Sequence, residues 1–319
     1  MTLEIGGLGT LGIGFETTYG TYAAPTKFLP IRSESLALVE DRQYRMNIRG
    51  LADRQNPIQG YTRIEGDIEF EVTSTTLPYF LYLARVAPSR TGVGPYVYTF
   101  APANVTLPTT AAGVTNRKTG SLYVKRGDNV FGYAGCSVGR LAFSVVDSIL
   151  MCTASLMGLT EADQTEDAET FDTKQPYSAG DVTFEFGVSA APARTDFDSV
   201  TIDLNDNAEN QQRIKAGTGP AYITWGEREV SGSADHDFDT KDDYDRFVAQ
   251  TKLELILTGS NSATDDEVEL KVVAVAIDSY QTNLTALGEL VRASFDYHGY
   301  YDTGDVYSFV VKTTESIGV

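Results

Sequence analysis

Ile64-Glu65-Gly66-Asp67-Ile68-Glu69-Phe70-Glu71-Val72 decides the reading of this chain. Apolar and acidic residues alternate through it, which is the period of a β-strand with one buried and one wet face. Ile64, Ile68, Phe70 and Val72 fall on one side, and Asp67, Glu69 and Glu71 on the other. The pattern returns about 166 residues later as Val230-Ser231-Gly232-Ser233-Ala234-Asp235-His236-Asp237-Phe238. Each run has glycine near its start. Each is followed by a short aromatic patch, Tyr79, Phe80 and Leu83 after the first, Tyr244 and Phe247 after the second. Upstream, Ser35-Leu36-Ala37-Leu38 matches Ser199-Val200-Thr201-Ile202 at nearly the same offset. The offset is about half the chain, so the sequence predicts an all-β fold, with one or two short helices, made of two tandem copies of one β module.

The 319 residues are enough for two domains with their own cores. Abundant Gly (29) and Tyr (18), with recurring Thr and Val, suit strands joined by many turns. A formal net charge of −19 argues against general binding to nucleic acid or to an anionic membrane. Cys136 and Cys152, the only cysteines, sit in apolar runs and read as buried free thiols. The N-terminus shows neither a basic n-region nor a long apolar stretch, so the expectation is synthesis in a cytoplasm with no membrane span.

Along the chain, residues 1–24 are rich in Gly and Thr and read as an extended arm with nothing to build a core. Residues 25–160 form the expected first module. They include a strand over 28–40, a polar hairpin or loop over 41–62, the strand at 63–73 and a helix near 75–85, capped by Ser74, Thr75 or Thr76 with Pro78 in its first turn. A long loop over 88–118 and three further strands follow. Residues 161–178 are acidic, with no basic residue before Lys174, and read as a linker. Residues 179–319 form the second module, with a helix near 241–250 in place of the aromatic one.

Several motifs fail on their own terms. Gly7-Leu8-Gly9-Thr10-Leu11-Gly12 fits a dinucleotide fingerprint but lacks the strand before and the helix after. Asp203-Leu204-Asn205-Asp206-Asn207 begins like a calcium loop, yet Ala208 stands where glycine is needed and Ile214 where a bidentate glutamate is needed. Asp235, Asp237 and Asp239 fail likewise and alternate as on one strand face. His236 and His298 lack any nucleophile–base context. No pair among the 44 acids stands out for glycoside chemistry, and Trp225 is the one tryptophan for a sugar platform. The chain reads as a non-enzyme with no cofactor and no metal.

At Gly14-Phe15-Glu16-Thr17-Thr18-Tyr19-Gly20-Thr21, then Pro25-Thr26-Lys27-Phe28-Leu29 and Ser33-Glu34-Ser35-Leu36, the chain resembles the tail tube proteins of tailed bacteriophages. The resemblance continues through the Arg-rich segment and the Gly66 strand. It reappears at Val200-Thr201-Ile202-Asp203-Leu204, at Arg228-Glu229-Val230-Ser231-Gly232-Ser233, and from Asn283-Leu284 to the Gly288 strand. It implies a major tail tube subunit of a long-tailed, siphovirus-like phage, with two tail-tube-type β-sandwich or barrel domains. Such subunits form stacked rings around a tape measure protein, meet tail terminator and distal tail proteins at the ends, and later pass DNA through a hollow channel. The expected location is the virion.

Two modules per chain favour a ring of three chains with pseudo-sixfold symmetry over a true hexamer. Asp67, Glu69 and Glu71, with Asp235, Asp237 and Asp239, are the candidates for the channel wall, where carboxylates would repel DNA over a Debye length of ~8 Å. The alternative is that they are simply the solvated faces of half-buried strands. Arg42, Arg45, Arg49 and Arg54, with Ile48, Leu51 and Ile58, are the candidates for contact with the next ring. Their guanidinium groups would meet acids such as Glu161, Glu166, Asp167 and Glu169. The rival readings are a phage fibre or decoration protein or a carbohydrate-binding β-sandwich, and, less well supported, a hydrolase on a β scaffold.

Overall fold

A computed structural model describes residues 9–44, 56–84, 87–101, 119–189, 193–214, 217–283, 290–302 and 306–317. The first half contains β1 (Thr10–Phe15), β2 (Lys27–Leu29), β3 (Ser33–Glu34), β4 (Ala37–Gln43), β5 (Ile58–Glu71), α1 (Leu77–Leu83), β6 (Ala87–Thr91), β7 (Tyr96–Ala101), β8 (Gly120–Arg126), β9 (Asn129–Val146), β10 (Ile149–Gly158) and β11 (Thr160–Asp163). The second contains β12 (Val182–Gly187), β13 (Ala193–Arg194), β14 (Phe197–Asn205), β15 (Ala208–Gln211), β16 (Tyr222–Trp225), β17 (Glu229–Asp237), α2 (Asp242–Val248), β18 (Leu253–Asn261), β19 (Asp266–Asn283), β20 (Arg292–Gly299) and β21 (Tyr307–Thr313). The fold is all-β, with two short helices among the described residues.

The two halves follow one antiparallel path. In the first, strand neighbours run β2–β1–β8–β9–β10–β5–β4. In the second they run β13–β12–β18–β19–β20–β17–β14. Even a bulge is repeated. Between β10 and β9 the register shifts after Ser155, so that Gly139 is skipped; between β20 and β19 it shifts after Asp296, so that Asp278 is skipped. Superposing the pairings equates Ile64 with Val230, Gly66 with Gly232, Leu36 with Ile202, and Leu141 with Tyr280.

The repeated glycines have a steric cause. A Cβ on Gly66 would stand 2.6 Å from the Leu36 Cα and the Ser35 carbonyl oxygen. A Cβ on Gly232 would stand 2.1 Å from the Thr201 carbonyl oxygen and 2.4 Å from the Tyr297 hydroxyl, which itself donates to that carbonyl at 2.6 Å. Neither neighbour can retreat without breaking the ladder. Gly232→Val is expected to destabilise the chain by about 3 kcal/mol, seen as a lower urea midpoint. Gly180→Ala, whose Cβ would make only an ordinary contact with the Ser178 hydroxyl at 3.8 Å, should leave the midpoint unchanged.

Ile64, Ile68, Phe70 and Val72 are all buried, as the alternation requires, and Phe70 stacks on Phe80 of α1 at 4.2 Å. The cap of α1 differs from expectation. Thr76 makes no side-chain cap; instead the Thr73 hydroxyl oxygen accepts from the Thr75 and Thr76 N–H groups at 3.3 and 2.9 Å. α2 is far more exposed, with only Asp243 buried.

Two further expectations give way. Residues 10–15 are not part of a coreless arm: β1 lies between β2 and β8 with Leu11 and Ile13 fully buried. Its glycines admit neighbours, since a Cβ on Gly12 would meet Pro25 at 2.7 Å and one on Gly14 the Ala24 carbonyl oxygen at 2.3 Å. Within the expected 88–118 loop, β6 and β7 form a hairpin. β7 pairs with β21 from the other end of the chain, Phe100 against Phe309, and buries Tyr98 and Phe100. One hydrophobic cluster therefore spans both halves, from Leu11 to Ile317. Cys136 and Cys152 are buried free thiols, and burial holds both thiol pKa values well up.

Candidate functional site

The halves join through a strand pair. The C-terminal part of β9 carries β10 on one edge and β14 on the other, with Leu141 opposite Leu204 and Phe143 opposite Ile202. One continuous antiparallel sheet of eight strands results, β4–β5–β10–β9–β14–β17–β20–β19. On one face Ile68, Ala154, Leu141, Leu204, Val230 and Phe295 are buried in the core. The other face is exposed or half-buried and carries mostly short polar side chains and acids, among them Ser35, Asp67, Ser155, Thr201, Ser233, Asp235 and Asp296.

Asp67, Glu69 and Glu71 of β5 and Asp235 and Asp237 of β17 share this open face. Asp239 lies two residues beyond β17 and is exposed. Among the described residues none of these six acids has a cationic partner within ion-pair distance. Hydroxyls meet some of them instead: Ser33 donates to Glu69 at 3.2 Å, and Ser199 to Asp235 at 2.7 Å. The cations of the face are occupied. Arg63 pairs with Asp41 at 3.0 Å and with Glu65 at 2.6 Å, Arg140 grips Asp203, and Arg292 lies 2.8 Å from Asp198. The surface therefore keeps a surplus of unneutralised carboxylate. His298 sits on it with Nδ1 2.5 Å from Asp278.

The ring-contact candidates divide. Arg42 and Ile58 lie at the end of the β4–β5 ladder nearest the connection between the two strands and are exposed. Arg45, Ile48, Arg49, Leu51 and Arg54 fall outside the described residues. Of the acids expected to meet them, Glu166 and Glu169 have Lys125 as a partner at 2.5 and 3.5 Å. The Asp167 N–H donates to the Tyr123 hydroxyl. Trp225 is buried on β16 and offers no open ring face for a sugar.

The residues behind the resemblance hold the architecture. Glu16 gathers four donors, the N–H groups of Gly20 (2.8 Å) and Gly135 (2.6 Å) and the hydroxyls of Thr119 (2.9 Å) and Ser121 (2.8 Å). It closes the turn after β1 onto β8 and β9. Glu34 takes both prongs of Arg126 at 2.7 and 2.8 Å, and Arg126 also donates to the Leu36 carbonyl. That fork fastens β3 to the end of β8 and pushes the Arg126 pKa up.

Sequence reading missed one cluster. His236 occupies the core position equivalent to Phe70 and is buried, with Nδ1 2.9 Å from the Asp237 carbonyl oxygen. Around it Arg194 bridges Asp196 and the buried Asp243, which also accepts from Arg246 at 2.7 Å. The hydrogen-bonded Arg194 guanidinium holds Asp196 below the usual carboxylate range against the opposing effect of burial. A depressed carboxyl contributes stability that is full above its unfolded value near ~3.9 and is lost as pH falls through the folded one. The stability gap between the native chain and Arg194→Met should therefore stay flat above about pH 5 and narrow below about pH 4, as read from urea melts at successive pH values.

A family model of phage tail tube proteins matches residues 6–299. The chain belongs to that family. The match runs through both halves and takes in both acidic strands, so the duplicated sheet is a property of a tail tube protein and a structural part of a phage tail. A search among curated proteins gave no match. Among the described residues no helix of this tail tube protein is long and apolar enough to cross a membrane. No group of three or more metal-ligating side chains occurs among them either.

Proposed function

We propose that this tail tube protein builds stacked rings whose inner wall is the open acidic face of the eight-stranded sheet, and that phage DNA passes through the resulting channel without being held. The carrying observation is the β9–β14 junction. It shows one module adding its edge strand to the next within a single chain, in a sheet whose one face is core and whose other face is wet. Repetition of that step closes a ring. With two modules per chain, one over β1–β11 and one over β12–β21, three chains supply six modules around the channel, which favours the three-chain ring over a six-chain one. The closed sheet hides edges that would otherwise aggregate.

Double-stranded DNA carries one charge per ~1.7 Å of axis, and a basic wall would hold it by counterion release. Asp67, Glu69, Glu71, Asp235, Asp237 and Asp239 give this wall the opposite sign. Arg42 and Ile58, with Arg45, Ile48, Arg49, Leu51 and Arg54, are assigned to the seam between rings. There the apolar residues supply affinity, because exposed ion pairs contribute only ~0–1 kcal/mol each. Tape measure, terminator and distal tail proteins are the partners this role requires, in a long-tailed, siphovirus-like virion assembled in the host cytoplasm. The subunit performs no catalysis in this role.

Negative-stain images of the purified protein test the reading. Rings or tubes with a central hole support it. Isolated particles with no passage, at concentrations where a virion part would assemble, contradict it.

A further inference from the structure

The eight-stranded sheet ends in two unequal ways. Its interior strands bury every core-face residue named above. At its two rims this fails. Among the described residues β4 pairs only with β5, and the stretch 276–283 of β19 pairs only with β20. Leu38, on the core face of β4, is 45% exposed. Its equivalent in the second half, Leu204, is 5% exposed, and the strand that covers Leu204 is β9. The equivalent of that part of β9 is the stretch of β19 whose outer edge has no strand partner among the described residues. Each rim is thus missing the neighbour that the other rim possesses.

The free backbone groups agree. The Ser35 N–H donates inward to the Asp67 carbonyl at 2.9 Å, so alternation turns the N–H and C=O of Leu38 outward; those of Leu36 are already taken within the chain, its N–H by Glu34 at 3.1 Å and its carbonyl by Arg126. At the internal junction the Asp206 N–H donates to the Gly139 carbonyl at 2.9 Å, which places Leu204 and Leu141 in a hydrogen-bonded pair of the same parity. α2 is no obstacle. It lies beside Tyr280, with Tyr244 5.9 Å away, much as α1 reaches β9, where the Ser137 hydroxyl donates to the Leu83 carbonyl, and β9 still accepts β14.

We infer that the occupant of the β4 rim is residues 279–283 of β19 from a second copy of this chain, antiparallel and in the register copied from the β9–β14 junction. Leu204 opposite Leu141 becomes Leu38 opposite the neighbour's Tyr280. Asp203 opposite Ala142 becomes Ala37 opposite Gln281, and Asn205 opposite Arg140 becomes Val39 opposite Ser279. Tyr280 then covers Leu38 as Leu141 covers Leu204. The inference rests on the ring reading and adds to it the residues and register of the seam between chains.

Cysteine pairs test it. Ala37 and Gln281 are both exposed, and by parity they form a non-hydrogen-bonded pair, the closer of the two kinds. The native thiols are buried and stay silent. Under mild oxidation of assembled tubes, Ala37→Cys/Gln281→Cys should cross-link into a closed three-chain species on a denaturing gel, while each single variant stays monomeric. In Val39→Cys/Asn283→Cys the thiols stand four residues out of register, about 13 Å apart, and should cross-link at least tenfold less. Tubes in which the first pair stays unlinked, or the second links as well as the first, overturn the register and leave the tube reading intact. Absence of rings or tubes by electron microscopy overturns both.

Discussion

Tubes built with Asp67, Glu69, Asp235 and Asp237 all replaced by lysine are expected to assemble and to capture DNA that native tubes leave free. Asp67 and Asp235 are exposed and Glu69 and Asp237 half-buried on the open face of β5 and β17, and none of the four belongs to a described ion pair, so the substitutions break no salt bridge. The change in field is large, because each chain exchanges four negative charges for four positive ones and every ring repeats it. Each lysine that neutralises a phosphate adds about 0.9 to the slope of log affinity against log salt. Co-sedimentation should show DNA bound to the variant at low salt and lost steeply as salt rises. Native tubes should show no binding across the range, and virions carrying the variant should lose infectivity by roughly a hundredfold or more, since even moderate nonspecific affinity would stall transit. Equal behaviour of native and variant tubes would remove these acids from the channel wall.

Leu38→Pro should leave the subunit folded and abolish ring closure. Proline is tolerated on an edge strand whose N–H serves no ladder partner, which is the state of Leu38 in the single chain. In the ring it deletes an outward donor and the buried leucine contact, together about 2–3 kcal/mol at each seam. Three seams must close, so the ring loses about three times that. Circular dichroism should be unchanged and the melting temperature within a few degrees of native, while light scattering finds no tubes. Leu204→Pro, at the internal counterpart, should instead damage the folded chain, because β9 already uses that edge. Normal tubes from Leu38→Pro would contradict an edge-to-edge seam at β4.

The strand that opens the argument was legible because both of its faces have a fixed environment. Ile64 through Val72 meets core on one side and water on the other, and the period of two follows. The duplication was legible for the same reason, with glycine recurring where Leu36 and Tyr297 crowd the backbone. β1 was not. Its Gly12 and Gly14 look like a coreless arm until Pro25 and Ala24 are seen pressing against them. Nor was the β6–β7 hairpin, whose core contacts come from β21 more than 200 residues away. The acidic face could be listed residue by residue from alternation, but not its surplus. Arg63, Arg140 and Arg292 are cancelled by Asp41, Glu65, Asp203 and Asp198, and that cancellation depends on cross-strand register. The buried cluster around His236 was hidden because a histidine holds a position where the first half has Phe70.

A cryo-EM map of the assembled tube, at a resolution that separates strands, tests the central claim most directly. The account predicts three copies of the eight-stranded sheet joined edge to edge around a central passage, with Asp67 and Asp235 on its inner wall. A passage lined by the opposite face of the sheet or by lysine and arginine, or a tube in which β4 and β19 touch nothing, would contradict it.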